Sequence, residues 1–91
     1  MTTAHKITLF GLVMARLIPY RERLQHKCEL KIEFSSTGKY GDTIDVTVIR
    51  WGDNRHIEDH EWLVYHFDEH SERNINAFID EAVEKIKPFI N

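Results

Sequence analysis

The sequence predicts an α+β fold in the order αβββα: a three-stranded antiparallel meander with an N-terminal and a C-terminal helix packed on one face. Three observations predict it. Apolar residues recur at three- and four-residue steps near both ends of the chain, whereas central stretches alternate apolar with polar. Clusters of Gly, Asn, Asp and Ser separate the alternating stretches. The chain has 91 residues, enough for one hydrophobic core, so residues 1–91 are read as a single domain.

The first helix is expected over residues 3–27, bent or restarted at Pro19, which lacks an N–H and clashes with the preceding turn. Ile7, Phe10, Met14, Leu17 and Leu24 form its expected inner stripe, and Leu9, Leu12, Val13 and Ile18 widen the apolar surface. A helix this apolar needs cover on more than one side, and that predicts a homodimer or a bound partner.

Cys28 to Ser35 alternates, with Cys28, Leu30, Ile32 and Phe34 on one side, and is expected to be a half-buried strand. Ser36 to Asp42 reads as a loop. Thr43 to Trp51 alternates again with Ile44, Val46 and Val48 inward, and Gly52-Asp53-Asn54-Arg55 is a turn signal. The third strand is expected from Glu61 to Phe67, beginning as early as His56. Ser71 can cap the last helix, whose stripe is Ile75, Phe78, Ile79, Ala82, Val83 and Ile86, and Pro88 helps end it.

Composition narrows the function classes. Cys28 is the only cysteine, so no internal disulfide forms. The longest apolar stretch, Ile7 to Ile18, is interrupted by polar residues and is shorter than the roughly 20 residues a span needs, so no membrane association is expected. No small-residue cleavage site follows it, and a cytoplasmic location is the expectation. The net charge of −3 is unevenly placed: residues 1–41 carry seven Lys/Arg and three Asp/Glu, residues 42–91 five and twelve. The halves can therefore attract each other, within one molecule or between two.

The pattern richest in chemistry is a pair of units, His56-Ile57-Glu58-Asp59-His60 and His66-Phe67-Asp68-Glu69-His70. Histidine is the commonest metal ligand and titrates near neutral pH. On a helix, His at i and i+4 chelate one ion; on a strand the same spacing is roughly 13 Å, too far. Trp62 to Phe67 is aromatic and β-branched, which favours strand and parts the histidines. Two smaller sets survive strand geometry as candidate metal ligands: Glu58 with His60, and His66 with Asp68 and His70. A histidine-rich metal-binding or pH-sensing module is therefore the alternative function. No cofactor is expected.

If Ile44, Val46 and Val48 face the helices, then Ile49 and Trp51 face away. With Leu63, Tyr65 and Phe67 inward on the third strand, Trp62, Val64 and His66 face outward. A tight turn at Asp53-Asn54 sets Trp51 opposite His56. Ile49, Trp51, Trp62 and Val64, flanked by His60 and His66, then form a candidate protein-binding surface, since Trp is enriched at binding hot spots.

The helix-strand-strand-strand-helix order and the chain's size resemble double-stranded-RNA-binding domains. That resemblance implies phosphate contacts from a basic cluster opening the second helix. Here that position reads Ser71-Glu72-Arg73-Asn74-Ile75-Asn76 and leads into an acidic helix. The family's Gly-Pro-x-His turn is replaced by Gly38-Lys39-Tyr40-Gly41. Shape recognition of duplex RNA needs those contacts, so nucleic acid is not the expected partner. The other basic candidate is Arg16, Arg21, Arg23 and Lys27, with Arg16, Arg23 and Lys27 on one helical face.

No P-loop, dinucleotide-binding glycine pattern or GxSxG elbow is present. The expected function is that of a small non-catalytic protein-binding domain, a regulator or stoichiometric inhibitor. Its size and acidity are those of proteins that phages and mobile elements encode against host enzymes.

Overall fold

Thr2 starts the first helix. Its backbone is extended (φ −73°, ψ 159°) and its hydroxyl accepts the His5 N–H at 3.1 Å, which caps α1, Thr3–Leu17. The structure, a computed structural model, describes residues 1–37 and 41–91; Gly38, Lys39 and Tyr40 of the expected loop lie outside the described residues.

The expected reach of the first helix to residue 27 is corrected. With Pro19 in its first turn, Ile18–Arg23 tightens into a 3-10 helix, and Leu24 turns extended and bridges to Ile90. The inner stripe is corrected in part: Leu17 is buried and Phe10 and Leu24 pack against the core as expected, but Leu9 and Val13 are buried as well, and Ile7 is 54% exposed. Two apolar stripes roughly 100° apart run along this helix, by the helical repeat. Periodicity marks both as helical and does not say which one meets the sheet.

β1 (Cys28–Thr37), β2 (Gly41–Trp51) and β3 (Ile57–His66) form an antiparallel sheet in the order β1-β2-β3. Cys28 to Phe34 and Ile44 to Val48 alternate as expected. Ser36 and Thr37 extend β1, and Gly41 and Asp42 begin β2. Gly41 has φ +74°, and a β-carbon there would lie 2.0 Å from Asp68 Oδ2, so two constraints select glycine.

The β2–β3 connection corrects the tight turn. Asn54 and Arg55 both have positive φ (57° and 60°), and Gly52 N–H bonds the His56 carbonyl at 2.8 Å. His56 stays outside the strand. The register slips beyond the Arg50–Asp59 pair, so that Trp51 faces Ile57 and Glu58 is the extra residue of a bulge. Phe67 lies just past β3 but remains buried.

Ser71 does not cap through its side chain. Its carbonyl accepts the Tyr65 hydroxyl at 2.5 Å, and a 3-10 turn, Glu72–Asn74, leads into α2, Ile75–Ile86. Ile75, Phe78, Ile79, Ala82 and Ile86 are buried as expected, with Val83 at the margin. Both helices lie on one sheet face and share one core with Leu30, Ile44, Val46, Val48 and Tyr65. Phe89, in the 3-10 turn after α2, closes that core's far end at 1% exposure.

Asp42 joins α1 to the sheet. Lys6 Nζ lies 2.9 Å from its Oδ2, and the Ser36 hydroxyl donates to its Oδ1 at 2.6 Å. The Ser36 hydrogen bond, then that of Lys6, holds the carboxyl below its ordinary value of 3.8. A pKa lowered by folding stabilises above the ordinary value and is lost as pH falls through the folded one. Between pH 4 and 2 the urea midpoint is therefore expected to fall more steeply in the wild type than in Asp42→Asn. Parallel acid limbs would contradict this.

A helix-free sheet face as candidate binding surface

Both helices occupy one side of the sheet, so among the described residues the other side carries no second layer. Its residues follow from the register. Thr47 faces Trp62, Ile49 faces His60, Asp45 faces Val64 and Thr43 faces His66, all pointing away from the helices. Ile49, Trp51, Trp62, Val64, His60 and His66 are therefore brought onto one surface.

They are not equally open. Trp62 is 61% exposed and Ile57 49%, while Ile49 is only 6% exposed although it is not part of the helix-side core. Cover for Ile49 comes from its own face: Glu29 and His60 opposite it, Trp51 along the strand and Trp62 on the diagonal. Trp51 is half-buried and its indole N–H donates to Glu29 Oε2 at 2.9 Å, so it is tethered across β1. The surface thus has a fixed floor, Ile49 and Trp51, and an open aromatic, Trp62.

Ile57 was not anticipated here. The bulge at Glu58 brings it opposite Trp51, and a one-residue slip leaves no trace in the hydrophobic pattern. Glu29, Glu33, Asp45 and Glu58 outnumber Lys31 around the face, which makes its rim acidic.

The basic set does not gather. Arg21 turns inward and donates from Nε and Nη2 to the Leu30 carbonyl at 3.3 and 3.1 Å. Arg23 lies over the Tyr20 ring, 5.5 Å from its centroid. Lys27, with φ 65°, reaches Asp53 at 3.4 Å, and Arg16, in the last turn of α1, makes no ion pair among the described residues. The expected shared face for Arg16, Arg23 and Lys27 is corrected: it required a helix continuing past Pro19.

The histidine units part as strand spacing implies. His60 and His66 lie on β3, and His56 lies in the turn before it. His70 stacks on Tyr65 with ring centroids 5.0 Å apart. Among the described residues no three His, Cys, Asp or Glu side chains converge on one ion position, so Glu58 with His60, and His66 with Asp68 and His70, are not completed into sites. No described helix is long and apolar enough to cross a membrane.

Part of the charge between the halves of the chain is paired internally. Lys6–Asp42 and Lys27–Asp53 each join residues 1–41 to residues 42–91, and His5 Nε2 lies 2.9 Å from Glu72 Oε2. Tyr65 is 1% exposed, and burial, then the nearby Glu72, pushes its phenol above the ordinary range. No protein-family model, curated protein or solved structure matches this chain.

Proposed function

We propose that this chain is a non-catalytic protein-binding domain, a small regulator or stoichiometric inhibitor, that engages its partner through the helix-free face of its sheet. One observation carries the reading: Trp62 is 61% exposed on a face whose neighbours Ile49, Trp51, Ile57 and Val64 are apolar. A tryptophan left in water stabilises the fold little, whereas at an interface it is a frequent hot spot. The face is acidic-rimmed and has a floor already fixed by the Trp51–Glu29 hydrogen bond. Little ordering is needed when a partner binds.

The variant that tests this is Trp62→Glu. It is expected to fold with unfolding free energy within about 0.5 kcal/mol of wild type, as for other surface substitutions. It is expected to lose the partner that wild-type chain captures in native extract by at least about tenfold in affinity, since hot-spot truncation costs 2 kcal/mol or more. Equal capture by both proteins would overturn the reading.

Self-association is a second reading with its own support. Ile7 is 54% and Leu12 37% exposed on α1, and Gly11 has no neighbour within 4 Å of its β-carbon position. A dimer through α1 would double the sedimenting mass, and Ile7→Glu would restore the monomer.

A further inference from the structure

The sheet has two edges, and they are finished differently. Trp51 N–H bonds the Lys27 carbonyl at 2.9 Å, so odd-numbered residues of β1 face β2 and even-numbered ones face outward. That outer edge is occupied: Cys28 N–H donates to the Gln25 carbonyl at 3.1 Å, and the Leu30 carbonyl holds the Arg21 guanidinium. On β3, Phe67 N–H bonds the Asp42 carbonyl at 3.2 Å, one step beyond the Thr43–His66 pair. Odd-numbered residues of β3 therefore face β2. His60, Trp62 and Val64 turn their N–H and C=O groups outward, and among the described residues these outward groups have no partner.

Beside this edge, between β3 and α2, runs an open cleft of about 200 Å³ lined by Leu63, Tyr65, Ala77 and Phe78 and by the polar His70, Asn74 and Glu81. The charge around it has one dominant sign. Residues 56–72 contain Glu58, Asp59, Glu61, Asp68, Glu69 and Glu72 and no Lys or Arg; Arg55 and Arg73 flank them, and two of the six acids are paired, Asp59 with Arg50 and Glu61 with Lys85, each at 3.6 Å.

We infer that the β3 edge takes an extended peptide segment of a partner protein as a fourth strand, with apolar residues at alternate positions and Lys or Arg between them. Strand alternation sends one set of its side chains into the cleft against Leu63 and Phe78 and the other set over the Trp62 face. Arginine on that second side meets an exposed indole, with Glu58 on β3 itself and Asp45 opposite Val64, which together suit a guanidinium. A second copy of β3 fits poorly. A two-fold centred on Glu61 sets that carboxylate against itself, and one centred on Trp62 sets Asp59 and Glu61 opposite Tyr65 and Leu63 of the other copy. This inference deepens the protein-binding reading and rests on it.

The test is an amide NMR titration of the intact chain with a blocked heptapeptide alternating arginine and valine. Two controls accompany it: the same peptide N-methylated at alternate residues on either register, and a glutamate–valine analogue. The expected result is saturable binding with shifts at the His60, Trp62 and Val64 amides, weakened at least about tenfold by N-methylation through loss of backbone hydrogen bonds. The glutamate analogue is expected not to bind. His60→Pro, which removes an outward N–H and no bond to β2, is expected to stay folded and lose the peptide. Equal binding of methylated and unmethylated peptides, no binding at millimolar concentration, or an edge already protected in a dimer would each overturn the inference. If His60→Pro keeps a native partner that Trp62→Glu loses, the edge fails and the face stands.

Discussion

Phe89→Ala is expected to lower the unfolding free energy by about 3–5 kcal/mol, the usual loss for a buried phenylalanine truncated to alanine. Single domains of this class have roughly 5–15 kcal/mol in total, so the variant is expected to be partly unfolded at physiological temperature. The physical reason is where Phe89 sits. It is 1% exposed at the end of the helix-side core. The backbone around it is stitched to the segment before β1: Gln25 N–H donates to the Phe89 carbonyl at 2.8 Å, Asn91 N–H to the Arg23 carbonyl at 3.0 Å, and Leu24 bridges Ile90. Removing the ring empties the site those bonds close. Equilibrium urea unfolding measures the loss, and a change below about 1 kcal/mol would mean that residues 87–91 do not dock as described.

Arg50→Ala is expected to cost about 2 kcal/mol, more than a surface substitution normally does. Its guanidinium lies 5.0 Å from the Phe89 ring centroid, donates from Nη2 to Gln25 Oε1 at 3.0 Å and to the Pro88 carbonyl at 3.3 Å, and reaches Asp59 at 3.6 Å. The half-exposed Asp59 pair contributes little by itself. Most of the loss comes from the stacked guanidinium and the polar groups left without their donor. Arg50→Ala and Phe89→Ala are therefore expected to be non-additive, with a coupling of about 0.5–1 kcal/mol in a double-mutant cycle. Strict additivity would place the two residues in separate environments.

How much of this was legible in the sequence differs element by element, for physical reasons. Strand alternation has a period of two, so once Ile44, Val46 and Val48 are set inward, the outward set of β2 follows, and Ile49 and Trp51 fall where parity puts them. The same rule places Trp62 and Val64, because the β2–β3 register is regular from Thr43–His66 to Arg50–Asp59. The turn breaks the rule. Positive φ at both Asn54 and Arg55 admits an extra residue, so Ile57 rather than His56 meets Trp51.

The first helix is legible as a helix and only in part as a packing face. Phe10, Leu17 and Leu24 pack where their spacing puts them, but Ile7 and Met14 are as apolar as Leu9 and Val13, and the sheet decides between them. The basic set depended on helical spacing beyond Pro19, which the 3-10 turn Ile18–Arg23 destroys. The role of Arg21 on the β1 edge needed the tertiary position of Leu30, which no local spacing carries. Strand geometry parts the histidine units: His60 and His66 lie on β3, His56 before it and His70 after it.

Binding through the sheet requires its helix-free face to be open to solvent with Trp62 on it. Acrylamide quenching of a Trp51→Phe variant, at a concentration where sedimentation gives a monomer, tests that directly. The structure predicts a red-shifted Trp62 emission quenched nearly as fast as free indole. A blue-shifted, quencher-protected Trp62 in the monomer would contradict it, because the ring would then lie in a core and the proposed binding face would not exist.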